Sequence, residues 1–134
     1  MKKILFVILV LGAIVLAACG GGEPEAPATL APVPADYAGK TNPLGADAAA
    51  DGAKVFQVNC EPCHGPKGHG DGPAGAALDP KPKNLGVIQQ MAGDDFLFWR
   101  VATGSPGTSM APWQGILTED QIWQVVAFVR TLQP

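Results

Sequence analysis

Between His64 and Asn84 the chain carries Gly65, Gly68, Gly70, Gly72 and Gly75 together with Pro66, Pro73, Pro80 and Pro82. A stretch of that composition cannot form a regular helix, because each proline lacks a backbone donor and clashes with the preceding turn. Nor can it be a central strand, where proline breaks the hydrogen-bonded ladder. A loop this long is either disordered or functional. The whole chain has 134 residues, room for one domain, so what holds the loop must lie close by.

Immediately upstream stands Cys60-Glu61-Pro62-Cys63-His64. Cys-x-x-Cys-His is the attachment signature of c-type haem. The two thiols add across the haem vinyl groups as thioethers, a geometry that a two-residue gap at the end of a helix suits. The adjacent histidine then lies under the iron as its proximal ligand. Next to a haem, the glycine- and proline-rich loop would be held by packing on the porphyrin. Two other uses of the cysteines compete. A thioredoxin-like dithiol expects a βαβ pattern, and no segment here alternates like a strand. Half of a zinc site needs partners to complete four ligands, and only His69 remains. The third cysteine, Cys19, falls in the N-terminal segment, so no pair is left for a disulfide framework. That arithmetic agrees with an oxidising compartment outside the cytoplasm.

The flanks of the motif read as helices. Asp47 to Asn59 is alanine-rich, with Ala49, Gly52, Ala53, Phe56 and Cys60 on one helical face and Asp47 or Asp51 favouring its N-terminal end. Asp94 to Thr103 is a short helix stopped by Gly104 and Pro106. Thr118-Glu119-Asp120-Gln121 fits a capping box, and Ile122, Val125, Val126, Val129 and Leu132 follow at helical spacing, with Trp123 and Phe128 widening the apolar face. The domain is expected to be all-α.

Residues 47–134 resemble a class I cytochrome c domain. Gly52, Phe56 and Cys60 match that family's N-terminal helix, and Ala127-Phe128-Val129-Arg130 matches its C-terminal helix. A bare glycine lets the two helices cross closely while Phe56 and Phe128 fill the sides. The resemblance implies a class I cytochrome c fold of three to five helices around one covalently attached haem c. It also implies a methionine sulfur as the sixth iron ligand, from the loop before the last helix. Met110 matches, although the family's Met-Pro is here Met110-Ala111-Pro112. The competitors are Met91, just before the Asp94 helix, and His69, which lies five residues past His64 on the proximal side. In the family a proline carbonyl accepts the other N–H of the ligating histidine; Pro82 is the first candidate and Pro80 the second. Leu78, Leu85, Phe96, Phe98, Val101 and Ile116 are expected as pocket wall. Trp113, ahead of Trp99 and Arg100, is expected near the haem propionates.

The N-terminus carries an address. Lys2 and Lys3 precede an apolar run from Ile4 to Leu16, short for a membrane span and right for a signal-peptide core. Leu16-Ala17-Ala18-Cys19 resembles the bacterial lipoprotein signal, which implies lipidation of Cys19 and a removed segment 1–18. Two acyl chains suffice for stable anchoring. Residues 19–46, with Gly20-Gly21-Gly22 and five prolines, read as a tether that would reach about 80 Å fully extended. Within it, Asp36-Tyr37 and Asn42-Pro43-Leu44 look like turns. Without Lys2 and Lys3, seven basic side chains face twelve acidic ones, a net charge near −5. With no basic run, nucleic acid is excluded as a partner.

These readings converge on a monohaem carrier anchored to the extracytoplasmic face of the cell membrane. It would pass single electrons between a quinol-oxidising complex and a terminal oxidase, reductase or photosynthetic donor site. A variant reading makes it a complex subunit, since the tether and haem pattern are similar to the small monohaem lipoproteins of bacterial alternative complex III. The alternative from another class is a haem enzyme or gas sensor with a dissociable Met110, though no distal acid–base pair for peroxide cleavage is visible.

Overall fold

The protein's computed structural model describes residues 29–134. Five helices form its frame: α1 (Ala49–Asn59), α2 (Glu61–His64), α3 (Leu85–Met91), α4 (Asp94–Thr103) and α5 (Glu119–Val129). Among the described residues there is no strand, only a bridge between Gln114 and Leu117, and the fold is that of the all-α class I cytochromes c.

The crossing of α1 over α5 is the main contact of the frame. A Cβ on Gly52 would lie 1.8 Å from the Gln124 carbonyl oxygen and 3.0 Å from Phe128 Cβ, so only glycine permits this approach. Beside the crossing the Phe56 and Phe128 rings meet at 5.0 Å between centroids. The rest of the core is the apolar face of α5 (Ile122, Trp123, Val125, Val126 and Val129) against Phe56, Phe96, Leu97 and Phe98. The capping box forms as the sequence predicts. Gln121 N donates to the Thr118 hydroxyl at 3.2 Å and Thr118 N donates to the Gln121 side chain at 2.9 Å.

Helix α3 is the element that periodicity did not reveal. Asn84 caps it, its side chain accepting from Val87 N. With only seven residues, α3 holds through its neighbours: Leu85 and Ile88 pack on the core, and Arg130 donates to the Gln89 carbonyl. The same guanidinium grips Asp94 Oδ1 through Nε at 2.8 Å and a terminal nitrogen at 2.7 Å, joining the end of α3, the start of α4 and the end of α5.

Of the segment read as a tether, residues 29–46 lie against the domain. Leu30, Val33 and Tyr37 pack on the core. Gly39 N donates to Asp95 at 2.9 Å, Asn42 N to Asp94 at 3.0 Å and the Asn42 amide to the Trp123 carbonyl at 2.8 Å. The apolar residues of this strap are too sparse to show a period, so the sequence alone reads it as linker. Cys19 and residues 1–28 lie outside the described residues.

Candidate haem site

Helix α1 runs into the cysteine pair almost without a break. Cys60 N donates to the Phe56 carbonyl at 2.8 Å, and the Cys63 and His64 amides return to the Cys60 carbonyl at 3.1 and 2.9 Å. Both thiols are free and half-buried, one helical turn apart, with His64 next in line. Burial, with a smaller contribution from Cys63, pushes the Cys60 thiol up to about 12, so the bare thiol is protonated and sluggish as a nucleophile. The Phe56 ring stands 6.5 Å from the imidazole of His64. It links the α1–α5 crossing directly to the motif.

His64 is where the electrostatics concentrate. Burial lowers its pKa, opposed by the backbone carbonyl of Lys83. The ring is therefore neutral near pH 7, the form that binds a metal. That carbonyl acts on the imidazole, yet no bond of hydrogen-bond geometry closes on Nδ1, which stays buried without a partner. A buried polar atom left unsatisfied costs about 1–3 kcal/mol.

The Pro82 carbonyl, expected to serve this histidine, lies against Gly70, where a Cβ would come within 2.1 Å of it, while the Pro82 ring lies over Gly75; neither it nor the Lys83 carbonyl closes a hydrogen bond on Nδ1. Gly70 takes φ +81°, a conformation that other residues adopt only with strain. The glycines of this loop are accordingly functional spacing and not slack. The loop's own ties are short: Gly70 N to the His64 carbonyl at 2.8 Å, Ala74 N to that of Pro62 at 2.9 Å and Leu85 N to that of Gly68 at 2.7 Å.

The second loop carries Met110. The orphan carbonyls at the end of α4 are satisfied by it, as helix ends require. Trp113 N donates to Val101 and Ala102 at 3.1 and 3.2 Å, and Gln114 N to Ala102 at 3.0 Å; Ser105 N donates to the Met110 carbonyl at 3.1 Å. Met110 is thereby held between an anchor on the last turn of α4 and Ser105 just beyond it, half-buried in a concave wall with Thr103, Pro106 and Pro112. Met91 is 47% exposed at the end of α3, and His69 is exposed in the proximal loop. Trp113 is half-buried; Arg100 stacks on Trp99 at 3.8 Å from the ring centroid. Two of the residues expected as pocket wall have these surroundings. Phe98 is sandwiched between Trp123, at 4.2 Å, and Tyr37, at 6.2 Å, and Ile116 is 69% exposed.

Among the described residues no three His, Cys, Asp or Glu side chains come together as a metal site of their own. The donor set instead suits a group that brings its own equatorial nitrogens. Two thiols one helical turn apart suit covalent attachment, and the neutral imidazole of His64 beside them would serve as a ligand to the iron, its buried Nδ1 left over for a backbone acceptor. The residues therefore fit a haem.

Comparison with known proteins agrees. In fold the chain is similar to a chain of the Kuenenia stuttgartiensis reducing HAO-like protein complex Kustc0457/Kustc0458, with a TM-score of 0.56 and 30% identity over 62% of this chain and 41% of that one. It is also similar to cytochrome CL from the marine methylotrophic bacterium Methylophaga aminisulfidivorans MPT, with a TM-score of 0.51 and 27% identity over 65% of this chain and 54% of that one. The match thus covers about half, or less, of the length of these proteins. Residues 47–129 match the family model described as cytochrome c oxidase, cbb3-type, subunit III, and with a haem-ready motif in a cytochrome c fold the chain belongs to that family of electron-transferring cytochrome c domains.

Proposed function

We propose that this protein carries one haem c, bound through Cys60 and Cys63, with His64 and Met110 as axial ligands, and shuttles single electrons at the extracytoplasmic face of a membrane to which Cys19 is lipid-anchored. The observation that carries the reading is His64: a half-buried, neutral imidazole with a buried and unpartnered Nδ1, directly after the cysteine pair and under the influence of the Lys83 carbonyl. When bound, the haem supplies a one-electron change at its iron. The chain's own contribution is to orient the imidazole, to exclude water with Phe56 and the glycine-rich loop, and to close the opposite side with Met110. Two protein ligands leave no open position, which favours a carrier over an enzyme, and the pairing of histidine with methionine raises the potential.

The partners are redox proteins: a quinol-oxidising complex on one side and a terminal oxidase or photosynthetic donor site on the other. Likeness to a chain of a multi-protein redox complex supports the form in which the domain works as a complex subunit. The test is production of the full chain with a cytochrome c maturation system, followed by denatured haem quantification and mass spectrometry. One haem per chain and a diacylated Cys19 are expected. A colourless mature protein overturns the haem assignment, and an unmodified Cys19 overturns the anchor.

A further inference from the structure

We propose that residues 34–42 are a docked strap that holds the Met110 loop in place, with Tyr37 as a positioning residue acting through Phe98 and Gln114. This rests on the haem reading above.

The loop around Met110 is closed on itself, Met110 N donating to the Thr108 hydroxyl and Ser105 N to the Met110 carbonyl, and it is tied to the rest of the fold at the end of α4, where Trp113 and Gln114 bond to Val101 and Ala102 and Ser105 follows two residues past Thr103. Where α4 sits therefore bears on where Met110 sits. Helix α4 leans on α5 far less extensively than α1 does. Something else must hold its outer side, and the strap lies there.

Its ties are spread along α4 and the loop beyond. At the start of α4, Asp94 and Asp95 accept from the Asn42 and Gly39 amides. At mid-helix the Phe98 ring lies between Trp123 and Tyr37, with the Lys40 ammonium 5.8 Å from its centroid. Past the end of α4, the Tyr37 hydroxyl donates to Gln114 across 3.4 Å. Asn42 secures the strap to α5, its amide donating to the Trp123 carbonyl while its side-chain oxygen accepts from Leu44 N. Tyr37, Gln114 and Leu117 line one cleft with Phe98 and Ala102, so strap, helix and ligand loop meet there. At 3.4 Å the hydroxyl bond is weak, and the ring of Tyr37 does most of the holding.

The experiment uses the full-length haem-loaded protein and three variants: Tyr37→Ala, Tyr37→Phe and, as a stability control away from the strap, Leu132→Ala. The readouts are the association rate of carbon monoxide with the reduced protein, which requires the methionine to leave, and tryptic cleavage after Lys40. Tyr37→Ala should speed carbon monoxide binding about fivefold, the factor that corresponds to losing about 1 kcal/mol of restraint on the loop. It should also expose Lys40 to trypsin. Tyr37→Phe should stay within about twofold of the parent, since it keeps the ring and loses only a weak bond. Leu132→Ala should lower the melting temperature without changing the carbon monoxide rate. An unchanged rate in Tyr37→Ala overturns the inference, as does parent protein cut after Lys40 as fast as an unstructured peptide. A comparable rate increase in Leu132→Ala also overturns it, by reducing the effect to general loosening. A colourless preparation overturns the haem reading and this inference together, whereas a coloured one with an unaltered rate overturns this inference alone.

Discussion

At Gly52 a single missing methyl decides how closely two helices meet. In an isolated helix, alanine is preferred to glycine by about 1 kcal/mol. Here that methyl would sit 1.8 Å from the Gln124 carbonyl oxygen, and backbone cannot yield as a side-chain tip can. Gly52→Ala is expected to destabilise the protein by about 1–3 kcal/mol net, the usual cost of overpacking, seen as a lower urea midpoint. A midpoint that rises would mean the crossing is looser than described. At the site itself, Met110→Ala is expected to abolish the methionine-to-iron charge-transfer band and open the iron to carbon monoxide, while Met91→Ala, at a 47% exposed position, leaves both unaltered. Cys60, Cys63 and His64 stand out in the sequence because Cys-x-x-Cys-His is a spacing with one dominant use. Where the Pro82 carbonyl lies depends on how the loop folds over Gly70, which no local pattern encodes.

The elements differ in what makes them stable. Helix α5 has both a cap and a continuous apolar face, and its position follows from sequence. Helix α3 has a cap, Asn84, and a short one-sided contact through Leu85 and Ile88. Asn followed by apolar residues three apart was the available signal, and it is weak because seven residues rarely hold a helix unaided. Removing either cap is expected to cost about 1 kcal/mol, but with different outcomes. Thr118→Ala should lower global stability by that amount. Asn84→Ala should show mainly as faster amide exchange in residues 85–91, since α3 can fray without the α1–α5 crossing opening. Equal exchange in the two proteins would place α3 in the same cooperative unit as the core. Asp94 binds three elements, accepting from Arg130 and from the Asn42 amide. Both members of its ion pair are about a quarter to a third exposed, at 26% and 31%, so solvent screening keeps the charge contribution small and the geometric one dominant.

For the whole molecule, the strap changes how far the domain can stand from its anchor. With residues 29–46 laid on the domain, ten residue steps separate Cys19 from Thr29, a contour limit of about 35 Å against the 80 Å or so of a free tether. On the proposed lipid anchor, the domain works next to the bilayer, and its partner is membrane-embedded or membrane-bound. Cys19→Ser is expected to release haem protein from the membrane fraction on lysis; retention would mean that another contact does the anchoring. Charge should steer this encounter little. Lys67, Lys81 and Lys83 are exposed beside Asp71 and Asp79, which are also exposed, so the rim near the site is mixed. Reduction by a partner complex should change by less than about threefold between low and physiological salt.

What the chain's order of residues determined by itself is whatever rests on short-range spacing: two thiols and an imidazole in five positions, a capping box, an apolar face repeating every third or fourth residue, and prolines that forbid helix. These are properties of neighbours along the backbone, and they specified an all-α domain built around a covalently held group. Only the tertiary structure decided that the Pro82 carbonyl lies against Gly70, that Phe98 faces Trp123 and Tyr37, and that residues 29–46 lie against the domain. Each of those depends on contacts between segments well separated along the chain. Such contacts form because helices already in place offer unsatisfied carbonyls, carboxylates and a bare aromatic ring, and a strap with one tyrosine and one asparagine in the right places can answer them without any periodic signature of its own.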